Sequence, residues 1–355
     1  MKIRYVILAL VLLMGAEEAL AQMNRRAIKK NNRRISSYRG RKSNFSKEKV
    51  YSMVGLSVNA LNYYGDLSPK PGRLSTDISF TRPAIGLSFA HRFGPRYVLA
   101  ANFMYGTLTG SDVESADKGD LENGFFRYQR NLSFRNRIKE LSVVASIDLF
   151  ENQATYISRV AWTPYLFAGL AVFHHNPQAQ VPDTDLHGNP LPNAGEWVDL
   201  QPLGTEGQYA DLQEGSVNSG IKPYKNIQLA IPMGIGARFR LNEVLDLSAE
   251  LGFRYLFTDY IDDVSQNYVD LGALDSELAR AMSYRSNELL TPAEVAALTP
   301  YTSAYNGESY SVIQGYGSES EHNVRGSKKD KDIFMVTTVR LTYILGKTFH
   351  RAKFR

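Results

Sequence analysis

Between Ile227 and Leu241, Ile227, Leu229, Ile231, Met233, Ile235, Ala237 and Phe239 alternate with Gln228, Ala230, Pro232, Gly234, Gly236, Arg238 and Arg240. A period of two predicts a β-strand with one apolar face. Leu245–Thr258 repeats the alternation, with Leu247, Ala249, Leu251, Phe253, Tyr255 and Phe257 opposite Asp246, Ser248, Glu250, Gly252 and Arg254. Ile333–Leu345 does so again, setting Met335, Val339, Leu341 and Tyr343 against Thr338, Arg340 and Thr342. Tyr51–Leu61, Pro83–Phe93, Arg96–Leu108, Ile138–Phe150 and Thr163–His174 complete a set of eight. Each run exceeds or matches the ~9–11 residues with which a tilted strand crosses a bilayer.

The connectors alternate in length. Gly94-Pro95 and Asn242-Glu243-Val244 are tight turns and Glu151–Trp162 is a modest loop, whereas the stretches near 62–82, 109–137, 175–226 and 259–332 are long. Closed barrels in outer membranes keep short turns inside the cell envelope and long loops outside. The fold predicted is therefore all-β: an eight-stranded antiparallel transmembrane β-barrel over 51–346, with long extracellular loops and both termini in the periplasm. Tyr97, Tyr105, Tyr165, Phe173, Tyr255, Phe257 and Tyr343 lie near predicted strand ends. They can form interfacial girdles, or simply follow the strand preference of aromatic residues.

The ends of the chain add an export history and a division of charge. Lys2 and Arg4, the apolar run Tyr5–Gly15 and the small-residue site Ala19-Leu20-Ala21 predict a signal peptide over 1–21. No later segment holds eighteen consecutive apolar residues, so no transmembrane helix is expected, and the cysteine count of zero excludes disulfides and thiolate metal sites. Residues 22–49 carry eleven basic residues against one acid, a net +10, and the tail 347–355 adds +4. With a total of +5 and a neutral signal segment, the middle of the chain is left at −9. The basic pI is thus a property of the ends and does not point to nucleic acid. The arm over 22–50 has almost no large apolar residues and is expected to be disordered. Its Arg25, Arg26, Lys29, Lys30, Arg33, Arg34, Arg39, Arg41 and Lys42 are candidate partner-binding residues, toward an acidic periplasmic partner or anionic lipid.

Inside an eight-stranded barrel there is room for little beyond side chains. Glu140 and Glu250 can pair there with Arg238, Arg254 and Arg340, because buried charges persist only when paired. A packed lumen with an interior ion network is expected, and a proton or ion pathway is the sharper alternative. Asp66, Asp259, Asp262 and Asp263 could ligate calcium, but they lack the spacing of a calcium loop and read as solvated turn acids. His174-His175 has no ligand partner at metal spacing, and no phosphate loop, nucleophile elbow or Ser/His/Asp set is present. No catalytic residue, cofactor or metal is assigned, and no small-molecule substrate is inferred. In the longest connector, Thr291, Pro292 and Glu294 predict a capped helix, and Asp275 or Ser276 can start another through Met282.

Several segments resemble a known family. Asn62-Tyr63-Tyr64-Gly65-Asp66-Leu67, Arg82-Pro83-Ala84-Ile85-Gly86-Leu87, Arg130-Asn131-Leu132-Ser133-Phe134-Arg135 and Thr163-Pro164-Tyr165-Leu166-Phe167-Ala168-Gly169 are similar, in order, to the PorG-like outer-membrane barrels of Bacteroidota. So are Leu200-Gln201-Pro202-Leu203-Gly204-Thr205-Glu206-Gly207-Gln208 and Phe257-Thr258-Asp259-Tyr260-Ile261-Asp262-Asp263-Val264-Ser265. The resemblance implies a role in type IX secretion or gliding, where such a barrel ties a periplasmic ring lipoprotein and its partner to the outer membrane. The basic arm, the extended last loop and the basic tail depart from simpler members of that family. A non-enzymatic scaffold acting through the periplasmic side is the leading expectation. An adhesin-type or structural barrel acting outward through its loops is the alternative, ahead of an enzymatic barrel or a soluble ligand-binding barrel.

Overall fold

The computed structural model describes residues 49–67, 80–152, 157, 159–328 and 331–345. The signal segment, nearly all of the basic arm with its nine candidate residues, and the tail lie outside the described residues.

Eight long strands close on themselves. They are β1 (Tyr51–Tyr64), β2 (Arg82–Arg92), β3 (Tyr97–Ser111), β4 (Ser133–Asp148), β5 (Trp162–His174), β8 (Ile227–Arg240), β9 (Leu245–Leu256) and β12 (Ile333–Leu345). Neighbours run β3-β2-β1-β12-β9-β8-β5-β4, and β3 pairs with β4 to shut the ring. Every pairing is antiparallel, and registers such as Leu56↔Leu341, Leu87↔Phe103 and Ile235↔Leu251 keep apolar residues on one side of the wall. Closure matters physically because it leaves no row of unpaired backbone groups at a sheet edge. The strand ends differ from expectation by a few residues, most at β4, which starts at Ser133 rather than Ile138.

The outward rows form an apolar belt. Leu56, Val58, Ile85, Leu87, Leu170, Ile227 and Ile235 are each more than half exposed. From Ile227 to Phe239 the outward row of β8 takes twelve steps, which at ~3.3 Å each and a tilt of ~40° span about 30 Å along the barrel axis. That matches a hydrocarbon core of ~25–30 Å. Exposed Tyr97 and Tyr343 lie at the short-turn end of the belt, and Tyr105, Tyr255 and Phe257 at the other. Tyr165 and Phe173 correct the expected girdle. Both sit at inward positions of β5 and are buried, since odd positions of this strand face the lumen. Met335, on the outward parity of β12, is also buried rather than exposed.

Inside, large and absent side chains interlock. Gly234 and Gly252 oppose each other on β8 and β9, and a Cβ on either would lie within 3 Å of the Phe167 ring. The glycines vacate the lumen that Phe167 of β5 fills.

The long connections do not behave as loose loops. Strand β6 (Pro177–Gln180) pairs with β4 above the barrel and with β7 (Trp197–Asp199), while β10 (Pro300–Thr302) pairs with β11 (Ser309–Ser311). Four short helices, α1 (Asp112–Ser115), α2 (Gly124–Arg130), α3 (Glu277–Ser283) and α4 (Pro292–Ala297), pack among them. Ser276 caps α3, and Thr291 and Glu294 form the capping box of α4. Tyr268, Leu271, Leu274, Ala279, Tyr284, Tyr310 and Tyr316 give these connections a hydrophobic core of their own. They build a cap.

Candidate functional site: the filled lumen and its cap

The inward positions, followed from the short turns to the long connections, form layers. At the short-turn end, Arg92 donates to Asp148 at 2.5 Å and to the carbonyl of Pro95 at 2.8 Å, and Arg238 reaches the same Asp148 at 3.1 Å. Arg159, from the β4–β5 connection, donates to Asp246 at 2.6 Å and to the carbonyls of Asn242, Glu243 and Leu245. One guanidinium thereby ties the β8–β9 turn to the β4–β5 loop across this mouth.

Midway, Arg254 makes a forked contact with Glu140, its Nε 3.0 Å from Oε2. Arg340 holds Glu250 with a second fork at 2.9 and 3.1 Å, and the Tyr165 hydroxyl donates to Glu250 at 2.7 Å. Of the five residues expected in an interior network, four fall into these two pairs. Arg238 takes Asp148 instead. Arg92, Asp148, Arg159 and Asp246 are the participants that sequence reasoning left out. Strand parity was the available signal for three of them, since Arg92, Asp148 and Asp246 all occupy inward positions. A cavity of about 70 Å³ lies at this level, lined by Ser57, Asn59, Glu140, Glu250, Arg254 and Arg340 among others. At ~10–15 Å³ for each water centre, that is room for a few waters.

Above the ions sits an apolar stopper of Leu61, Leu108, Phe134, Ile138, Phe173, Leu256 and Phe334, all fully or almost fully buried. The cap closes over it through a second ion network. Arg325 is 1 % exposed; it donates to Glu206 at 3.0 Å and to the Asp263 carbonyl at 2.5 Å, and lies 3.7 Å from the Asp263 carboxylate. The same Glu206 oxygen accepts from the backbone N–H groups of Ser265 and Gln266. Arg130 forks onto Asp112 with two contacts of 2.8 Å and reaches the carbonyls of Arg325 and Asp66. Four stretches remote in sequence are thus stitched together.

The acidic residues that read as solvated turn acids are instead mostly interior. Asp262 and Asp263 are buried, and Asp66 and Asp259 are partly so. Asp263 takes a left-handed backbone conformation (φ 68°), held there by Thr205 and Tyr224 hydroxyls at 2.5 and 2.7 Å. The Tyr63 hydroxyl lies 2.6 Å from Asp262 and 2.7 Å from Asp332. One phenolic proton serves one carboxylate, so the other carboxyl is protonated and donates to the phenol oxygen. Burial pushes both well above the usual carboxylate range, reinforced at Asp262 by the charge of Asp332 and at Asp332 by that of Asp259. Burial also raises Asp66 and Asp263 to about 6 and Asp259 to about 7. His175 is buried at the base of the cap, stacked 5.8 Å from Tyr224 and bonded to the Lys225 carbonyl; burial lowers it to about 4. Among the described residues, no group of three or more His, Asp or Glu side chains has the geometry to hold a metal ion.

An open groove of about 420 Å³ runs between the His187 turn and α4, bordered by Asp185, His187, Arg285, Glu288 and Leu290.

Comparison with other proteins places part of this chain. Residues 42–189, less than half of its length, match the family described as "Domain of unknown function (DUF6089)". No curated protein sequence is significantly similar. Among solved structures, a major outer membrane protein from Thermus thermophilus is similar with 10 % identity and a TM-score of 0.34, over 83 % of this chain and 99 % of the other. Ail, the attachment invasion locus protein of Yersinia pestis, gives 7 % identity and a TM-score of 0.32 over 84 % and 99 %. The outer membrane protein OprG from Pseudomonas aeruginosa gives 8 % and 0.31 over 84 % and 98 %. The barrel assignment itself rests on the strand register described above.

Proposed function

We propose that this chain is a non-enzymatic anchor of the outer membrane, a closed barrel that holds a protein assembly rather than conducting or transforming a small molecule. The observation that carries the reading is the filled lumen. Paired ions, an apolar stopper and a cap occupy the path through the barrel, and its cavities of about 70 and 20 Å³ are far below the ~300–1,000 Å³ of ordinary ligand pockets. The apolar belt of bilayer height supports the membrane placement, with the short turns and both termini toward the periplasm.

The partner reading rests on the resemblance to PorG-like barrels. In it, the basic arm and the short-turn end dock a periplasmic ring lipoprotein and its partner in a type IX secretion or gliding complex. Crosslinking followed by purification from outer membranes tests this. Recovery of a periplasmic lipoprotein that is lost on deletion of 22–49 is expected. Recovery of the barrel alone, with secretion unchanged on deletion of the whole chain, would refute it.

The cap favours a second reading. Its own hydrophobic core and its open groove give the long-connection end a shaped surface, suited to an outward-acting structural or adhesin-type role. Removing α4 and its flanks would abolish such binding while leaving periplasmic partners in place.

A further inference from the structure

Outward positions on the eight barrel strands are apolar, small or neutral almost throughout. Among the described residues, the Asp, Glu, Lys and Arg side chains at these positions number three: Arg135, Arg137 and Lys139. All are basic, all stand on β4, and they occupy consecutive outward sites at its cap end, immediately above Leu141 and Val143 of the apolar belt. Lys139 is flanked by the girdle residue Tyr105 on β3 and by His174, an outward histidine, on β5.

None of the three has a carboxylate partner among the described residues. Arg135 is committed locally, donating to the Gln178 side chain at 3.0 and 3.1 Å and stacking 3.9 Å over Trp197. The nearby acid, Asp199, is taken by the Gln178 amide at 2.6 Å. Arg137 and Lys139 are exposed, with charged ends left to solvent or lipid. Two cations side by side on a strand repel each other and gain nothing for the fold. At the edge of an apolar belt the counter-charge at hand is that of the membrane, where the anionic group at that depth is a lipid phosphate. A guanidinium forks onto phosphate, an ammonium meets it as a point charge, and two strand steps set them about 7 Å apart.

We infer that Arg137 and Lys139, flanked by Arg135 and His174, form a site for the phosphate headgroup of an anionic membrane lipid in the leaflet at the cap end. The inference rests on the membrane placement argued above. Native mass spectrometry of the full chain in detergent, titrated separately with phosphatidylglycerol and phosphatidylcholine, tests it. The anionic lipid should bind more tightly, and Arg137→Gln with Lys139→Gln should weaken it about 25-fold, since each basic residue near an anionic surface contributes ~1 kcal/mol, or about fivefold. Arg137→Lys with Lys139→Arg should keep most of the preference, and phosphatidylcholine binding should not change. Both sites are exposed, so the double variant should retain the heat-shifted gel migration of a folded barrel.

Equal affinity for the two lipids, or a preference unaltered in the Gln variant, would overturn the inference. So would displacement of the lipid by inorganic phosphate at comparable concentration, which would mark a site for free anions. A chain that does not insert into bilayers at all refutes the membrane placement; one that inserts but ignores headgroup charge refutes this site alone.

Discussion

Arg325→Met removes the charge at the centre of the cap while nearly preserving volume. In the native cap this guanidinium faces Glu206 at 3.0 Å and the Asp263 carboxylate at 3.7 Å, with all three side chains at 2 % exposure or less. Stripping one partner from a buried ion pair costs ~3–5 kcal/mol, because the remaining charge stays out of water without compensation. At ~1.4 kcal/mol per tenfold, opening of the cap should become roughly 100- to 3,000-fold easier. Hydrogen exchange followed by mass spectrometry reads this at the Ser265 and Gln266 amides, which donate to Glu206. Amides in β8 and β9 should keep their protection, since their ladder does not pass through Arg325. Adding Glu206→Gln should recover more than half of the loss by removing one stranded charge. Unchanged exchange in the cap would refute the reasoning. So would equal acceleration in the strands, which would mean that cap and barrel open as one.

Three further outcomes follow from the geometry. The cap should loosen as pH rises from 5 to 8. Asp66, Asp259 and Asp263 have folded values of about 6 to 7, above the ordinary 3.8, so the folded cap binds protons that the unfolded chain releases, and stability present at low pH is lost as pH passes 6 to 7. For Asp263 alone the full shift is worth ~3 kcal/mol, accruing between pH ~4 and ~6; about 1.4 kcal/mol of it falls above pH 5, and exchange of the cap amides from pH 5 to 8, compared with Asp263→Asn, measures that part. Arg159→Met should lower barrel stability in denaturant titrations by ~3 kcal/mol, because Asp246 would be left buried beside the short turns. Gly234→Ala should destabilise the barrel by ~1–3 kcal/mol and resist rescue by Phe167→Leu, since its Cβ would meet the Leu251 carbonyl oxygen at 2.2 Å. Gly252→Ala, whose Cβ would meet the ends of Phe167 and Arg254 first, should be rescued by Phe167→Leu in the same folding assay.

Much of the barrel was legible because lipid and lumen impose a strict alternation on every strand, and because tight turns such as Gly94-Pro95 announce themselves. Tyr165 and Phe173 show the limit of proximity to a strand end: it allows an aromatic residue either a girdle place or an ordinary strand place, and the strand parity puts these two inside. The cap was far less legible. Asp66, Asp263 and Arg325 look like loop residues in any local window, and their burial comes from partners such as Glu206 and Arg130 that stand far away in the chain. Local patterns do not record such contacts. The capped helix α4 was visible because its determinants, Thr291, Pro292 and Glu294, lie within one turn.

A chain without native cysteines invites the most direct check on the central claim, a filled barrel seated in lipid. Single cysteines placed in turn from Ile227 to Arg240, in protein reconstituted into vesicles, would carry nitroxide labels for oxygen and nickel-chelate accessibility. High oxygen and negligible chelate access are expected at Leu229, Ile231, Met233 and Ile235, and unlabelled cysteines at Ala230 and Pro232 should resist a water-soluble maleimide until the barrel is unfolded. Chelate access to the outward row would take the belt out of the bilayer, and rapid maleimide reaction at the inward sites would replace the filled lumen with a water-filled channel.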